Sequence, residues 1–342
     1  MSDSFQTIQS IGSKALLDKI KKVEGYKHDD VVKGIGDDAA VIEGSNEYYT
    51  LLTSDTYVEG VDFDPTYTPF QHLGYKIVSA AVSDIYAMNG HPVSMLINLA
   101  VPNRMSVQMI EDLYEGLYAA GKDHSVQLVG GDLKANHNNL VASISVQGRV
   151  EKEKITYRSG AKEGDAICVT GDLGGALAGL RILMREKKHW KEHGDDSIQP
   201  ELGDYQFVVK RQLLPNARLD LIQALQEHSI LPTSMMDLTK GLVADVNSIS
   251  EASGLGAYIY QAALPIAIET RQVADEMQED VDRYALFGGE DFELMFTLPE
   301  KQVELFVDHF NDFVVVGRMV SKEEGMKLQT AEGDVISFDD LT

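Results

Sequence analysis

Lys33-Gly34-Ile35-Gly36-Asp37-Asp38-Ala39-Ala40, followed by Ser54-Asp55-Thr56, is the stretch on which the reading of this chain turns. Two glycines give way to two adjacent carboxylates, and the apolar run Tyr49 to Thr53 delivers another. The pattern recurs. Asp84 closes Val78-Ser79-Ala80-Ala81-Val82-Ser83, Asp132 follows Val126 to Gly131, and Asp237 ends Ser234-Met235-Met236. Glu290-Asp291 follow Phe287-Gly288-Gly289. Acid at the ends of apolar elements points to a cleft, because loops at element ends carry function. Carboxylates facing one cleft repel each other and resist ionising unless cations join them. Magnesium carrying phosphates is the commonest hard-cation answer. Any single aspartate of this kind is more often a turn or cap residue. Their number and repeated placement predict a magnesium–nucleotide site.

Composition narrows the partners. The 342 residues suffice for about two domains. A formal net charge of −24 argues against nucleic acid, whose phosphates need Lys and Arg, and equally against an anionic membrane surface. An anionic substrate then needs metal ions or a few placed basic residues. The one cysteine, Cys168, lies in the apolar run Ala166 to Val169 and reads as a buried small hydrophobe. The chain alone cannot form a disulfide, which suits the cytosol. Met1 to Gln9 is polar rather than a signal peptide, and no run approaches the roughly 20 apolar residues of a bilayer span. A cytoplasmic location is the expectation.

Periodicity predicts helices over 13–22, from Pro69 to about Asn89, and over 106–122. Strands are expected at 39–42, 48–53, 93–101, 126–129 and 140–150, with a polar loop at 134–139. The charged, turn-rich run 151–164 marks a domain boundary. Beyond it we expect strands at 166–170, 257–261, 292–297 and 313–318. Helices are expected at 174–185, 217–228, 242–252, 271–279 and 300–311, and a surface excursion at 187–206. Strands and helices mix without a strict βαβ rhythm, which predicts α+β domains with mixed sheets. There is no Gly-x-x-x-x-Gly-Lys-Ser/Thr loop. Gly171-Asp172-Leu173-Gly174-Gly175 before a helix offers backbone N–H groups to a phosphate, a weak signal next to plain helix packing. His72, His91, His124 and His137 lack metal-ligand spacing.

A family resemblance rests on seven blocks in order. They are Gly34 to Ala40; Ser54-Asp55-Thr56 with Glu59-Gly60; Ser83-Asp84 with Ala87-Met88; and Leu128-Val129-Gly130-Gly131-Asp132. Arg158-Ser159-Gly160-Ala161, Asp237-Leu238 with Gly241-Leu242, and Gly288 to Leu294 complete the set. Together they resemble the thiamine-monophosphate kinases, within the aminoimidazole-ribonucleotide synthetase-like superfamily. The resemblance implies a two-domain PurM-like α+β fold. Residues 1–150 would form an ATP- and magnesium-binding, dimerising N-terminal domain, and residues 151–342 the C-terminal domain. It implies ATP-dependent phosphorylation of thiamine monophosphate to thiamine diphosphate, with Mg2+ and a homodimer. Asp37, Asp38, Asp55, Asp84, Asp132 and Asp237 would bind or flank the magnesium ions. Gly131, Asp132, Arg158, Thr56 and Thr239 would bind nucleotide, and Asp237, Thr239 and Lys240 would lie near the transferred phosphoryl. Glu290 and Asp291 would join the C-terminal side of the cleft.

The chain departs from that pattern in places that bear on activity more than on fold. Lys240 stands where the family has a metal-binding carboxylate, and Leu133-Lys134 where it has Thr-Thr. Ala81 replaces a frequent Asn and Asp62 a frequent His. Two alternatives therefore stay open, a sister ATP-using enzyme with another acceptor and a catalytically impaired nucleotide-binding relative. The first 167 residues hold no Cys for selenophosphate chemistry, and the C-terminus Asp339-Asp340-Leu341-Thr342 has none for hydrogenase maturation.

Overall fold

The structure is a computed structural model that describes residues 7–22, 25–193 and 202–341. Helix α1 (Ile8–Lys21) leads to strands β1 (Val31–Lys33), β2 (Ala40–Glu43) and β3 (Tyr48–Val58). Helix α2 (Phe70–Ala87), β4 (His91–Pro102), α3 (Val107–Asp123), β5 (Gln127–Asn136) and β6 (Val141–Glu151) follow. These strands form a six-stranded sheet in the order β1-β2-β3-β6-β4-β5, antiparallel except for the β4–β5 pair.

The second half runs β7 (Ala166–Thr170), α4 (Gly175–His193), α5 (Gln206–Leu213), α6 (Leu219–Glu227) and β8 (Ser234–Asp237). It continues α7 (Leu242–Ser253), β9 (Gly256–Tyr260), α8 (Ile268–Met277), α9 (Val281–Phe287) and β10 (Leu294–Leu298). Helix α10 (Glu300–Phe306), β11 (Phe313–Val320), β12 (Met326–Gln329) and β13 (Val335–Ser337) end it. Its seven-stranded sheet is also mixed, with β9 and β12 parallel. The fold is α+β with mixed sheets, as the sequence predicts.

Helix α2 is the keystone of the site. It packs on β3 and β6 of the first sheet and on β8 of the second. Such a helix must be apolar nearly all round, and Ile77, Val78, Ala81, Val82 and Ile85 are all buried. It crosses α3 at glycine contacts: a Cβ at Gly74 would lie 2.1 Å from the Leu113 carbonyl, and one at Gly116 1.9 Å from that of Gln71. One core, containing Leu51, Ile85 and Ile144 along with Met235 and Phe296, runs through both halves.

Several boundaries differ from expectation. Strand β5 continues through Asn136 instead of ending at Val129, so half the expected polar loop is strand. It is an edge strand exposed on nearly every residue, and a strand with no buried face carries no apolar alternation to read. Ser54-Asp55-Thr56 lies inside β3 rather than beyond it. Helix α4 runs on to His193, into the expected excursion, of which residues 194–201 fall outside the described residues. Short α5, α9, β12 and β13 give too few residues for a period to stand out.

Candidate active site

Asp84 sits in the last turn of α2, and Thr53 on β3 donates its hydroxyl proton to the Asp84 carboxylate. Asp237 is the last residue of β8 and is buried, its Oδ2 lacking any hydrogen-bond partner. Asp38 enters from the turn before β2. Carboxylate oxygens of Asp38, Asp84 and Asp237 lie within 4.8 Å of one another. Three separate elements, brought together by α2, make one acidic cluster.

The electrostatics are those of a site that lacks positive charge. Burial, then the charges of Asp237, Asp55 and Asp38, pushes the Asp84 carboxyl well above the usual range. Burial and the neighbouring Asp38 and Asp245 do the same to Asp237. Burial also raises Asp55 and Asp38, and at Asp38 the Arg158 guanidinium opposes it. Arg158 donates from Nε to Asp38 Oδ2 at 3.0 Å and pairs its Nη2 with Oδ1. Its backbone N–H donates to Asp37 Oδ1 at 3.1 Å, and Lys33 Nζ lies 3.7 Å from Asp37 Oδ2. Asp37 and Asp38 therefore already hold protein cations, whereas among the described residues Asp84 and Asp237 have no ion-pair partner.

A cavity of about 220 Å³ opens beside the cluster, lined by Asp55, Asp84, Asp237, Thr239 and Glu290 among others. Among the described residues no Lys or Arg lines it. A divalent ion fits this donor set. Three carboxylate oxygens converge within 4.8 Å, hard oxygen donors of the kind magnesium takes, and the unpartnered Asp237 Oδ2 is a ligand atom otherwise left buried without partner. A second cavity, about 330 Å³, adjoins the first and shares Tyr57, Asp62 and Glu290 with it.

Thr56 joins Thr239 in lining the acidic cavity, and other expected residues fall elsewhere. Asp132 is exposed on β5, 3.3 Å from Lys134 Nζ, and is not brought to the cluster. The register Thr56↔Ser143, Ser143↔Asn98 and Asn98↔Asp132 sets these four residues in one row across the open face of the sheet. Thr53, Asp55 and Tyr57 alternate to the opposite face. Gly131 has a packing reason to be glycine, since a Cβ there would lie 1.7 Å from the Ile97 carbonyl. Thr239 lines the acidic cavity. Lys240 is exposed and does not line it; its backbone N–H and that of Thr239 donate to Asp245 Oδ2 at 3.0 and 3.1 Å. The N–H groups offered to a phosphate at Gly171–Gly175 are taken internally. Asp291 accepts from Gly174 at 2.7 Å and Ala176 at 3.0 Å, so a carboxylate of the chain fills that helix end.

Sequence reasoning missed Lys76, Tyr57 and Asp245. Lys76 was findable: Lys76, Ala80 and Asp84 recur every fourth residue on one stripe of α2, and a lysine on an apolar helix stripe is anomalous unless paired.

Residues 36–150 match the AIR synthase related protein N-terminal domain, and residues 162–328 its C-terminal domain. The thiamine-monophosphate kinase of Aquifex aeolicus is 34% identical over 88% of this chain and 90% of its own length. That of Bacillus subtilis is 32% identical over 89% and 86%. The chain belongs to the thiamine-monophosphate kinase family. Among solved structures, AaThiL complexed with AMPPCP and TMP superposes with a TM-score of 0.81, at 30% identity over 97% of each chain. The Aquifex aeolicus thiamine monophosphate kinase structure gives 0.76. Hydrogenase maturation protein HypE in complex with ATP shares the fold at 18% identity and TM-score 0.66. In this chain Asp38, Asp84 and Asp237 stand in one cluster, and Lys240 is exposed three residues beyond Asp237.

Proposed function

We propose that this chain transfers the γ-phosphoryl of ATP to thiamine monophosphate, giving thiamine diphosphate, with magnesium. The observation that carries this is the trio Asp38, Asp84 and Asp237, with a buried Asp237 oxygen that, among the described residues, has no partner, beside a cavity with no basic lining among them. The relative that binds AMPPCP, a methylene-bridged ATP analogue, and TMP supports it. Asp84 and Asp237, with Asp38 and Asp55 beside them, would hold magnesium. When bound, the ion supplies neutralisation of the charge spreading over the transferred phosphoryl.

The chain's own residues do the rest. Arg158 fixes the Asp38 carboxylate by two contacts and the Asp37 carboxylate by its backbone, so the rim of the cluster is preset. Asp245 pins the Thr239–Lys240 turn against the cavity. Tyr57, Phe63, Tyr67 and Met184 give the adjoining cavity an apolar wall for the organic part of the acceptor. No general base is required, because a phosphate monoester with second pKa near 6 is already an anion at neutral pH. The transfer is direct and in line, and chirally labelled ATP would show inversion at phosphorus. We place the domain boundary at residues 150/151 and expect a homodimer.

Purified protein with ATP, Mg2+ and thiamine monophosphate should yield ADP and thiamine diphosphate in equal amounts, and nothing in excess chelator. Nucleotide binding without product would favour the impaired-relative reading that the exposed Lys240 raises. Absence of both would end the proposal.

A further inference from the structure

Lys76 is a buried ammonium without an assigned task. Its side chain is 5% exposed, and lysine is almost never so buried unless paired. Nζ donates to Glu290 Oε2 at 2.7 Å and to the Gln212 carbonyl at 3.1 Å. Of its three N–H donors, these two contacts leave one for the 330 Å³ cavity that Lys76 lines. Among the described residues it is the only Lys or Arg lining either cavity; Asp55, Asp62 and Asp84 line the smaller one, and Asp62 and Asp64 stand among the largely apolar lining of the larger. A phosphate dianion entering from the 330 Å³ side meets apolar side chains, the carboxylates Asp62, Asp64 and Glu290, and this ammonium as its cationic partner.

The two partners of Lys76 are not equivalent. The Gln212 carbonyl is backbone and stays. Glu290 has a side chain 39% exposed and lines both cavities, so it stands at their junction and can turn to water. Its backbone is held in the left-handed region, φ 58°, between Gly289 at φ 76° and the buried Asp291. An ordinary residue kept there signals a position imposed by its surroundings. The carboxylate is thereby aimed at the one cation of the junction.

We propose that Lys76 receives the phosphate of the acceptor, and that Glu290 occupies the ammonium until the acceptor displaces it; this rests on the kinase reading above. Lys76, Ala80 and Asp84 lie on one stripe of α2, so a single helix would set the acceptor phosphate in register with the acidic cluster. A compact point charge suits this exchange between carboxylate and phosphate.

The test compares ligands with and without the phosphate. Calorimetry with wild-type protein, Lys76→Met and Glu290→Gln would measure Kd for thiamine monophosphate and for thiamine. Losing a charge-assisted contact should raise the thiamine monophosphate Kd of Lys76→Met roughly tenfold or more, leaving thiamine binding unchanged. Glu290→Gln removes the competitor and should lower the thiamine monophosphate Kd. The two variants thus move in opposite directions, whereas a purely structural ion pair would move both the same way. An unchanged thiamine monophosphate Kd in Lys76→Met, equal losses for both ligands, or weakening by Glu290→Gln overturns the assignment. Glu290→Gln decides by itself if Lys76→Met does not fold, because the residue is half-exposed. Wild-type protein that makes no thiamine diphosphate defeats the kinase reading instead, a result separable from the variant comparison.

Discussion

Asp237 shows what the cluster costs the fold. A buried carboxylate without a cation or donor on Oδ2 is destabilising when ionised, and Asp84 beside it compounds the repulsion. Asp237→Asn should therefore raise the melting temperature of the metal-free protein by a few degrees while weakening Mg–nucleotide binding at least tenfold. Calorimetric melting with and without Mg2+ checks both, and Asp340→Asn serves as a surface control. Arg158 is the converse case. Arg158→Met strips the guanidinium from Asp38 and leaves that buried charge uncompensated, at a cost of about 3–5 kcal/mol in chemical denaturation. Lys240 behaves differently again, since it is exposed and off the cavity: Lys240→Ala should change nucleotide affinity by less than twofold. Asp84 and Asp237 were legible because each follows an apolar run, and Asp38 because it follows a glycine pair. Which of them converge was not, because Asp38, Asp84 and Asp237 come from positions up to 199 residues apart and meet only through packing.

The element that makes them meet is α2, and its period was readable from Leu73 to Met88. Its crossing with α3 was not, because a glycine in a helical pattern does not say which backbone approaches it. Gly116→Ala would drive a Cβ into the Gln71 carbonyl, which sits in the first turn of the helix carrying Lys76 and Asp84. Overpacking against backbone should cost about 3 kcal/mol and lower activity, whereas Gly203→Ala, with open space around it, should do neither. The turn after β8 gives a pH signature. Burial lifts Asp245 from 3.8 to about 6 against the opposing N–H groups of Lys240 and Thr239. The folded state therefore holds this proton more tightly than the unfolded one. Stability is full below pH 3.8 for this group and is lost as pH rises through about 6, by about 3 kcal/mol. Asp245→Asn should remove that part of the slope, gaining on wild type between pH 4.5 and 7 in urea titrations.

At the scale of the molecule, the open face of the first sheet is the surface left to explain. Leu52 and Leu96 are exposed on it, and edge strand β5 beside them is exposed along nearly its whole length. An exposed apolar sheet face with an unpaired edge is a place for a second copy. This is also the face that carries Thr56, Ser143, Asn98 and Asp132; Thr56 borders the acidic cavity of its own chain as well, whereas Ser143, Asn98 and Asp132 do not line it. Asp132 lies about 14 Å from Thr56 across three strand spacings, too far to share an ion with Asp84 in the same chain. A two-fold contact through this face would set the Asp132 end of the row in each copy against the Thr56 end in the other, and so let Asp132 serve a site it cannot reach alone. Sedimentation should then give a dimer at micromolar concentration, and Leu96→Arg should give a monomer with reduced activity. A mixing experiment is more decisive. Asp84→Asn and Asp132→Asn proteins, each inactive, are co-refolded so that mixed dimers form. Service across the interface leaves one intact site per mixed dimer, and activity returns; service within a chain leaves none, and the mixture stays as inactive as its parts.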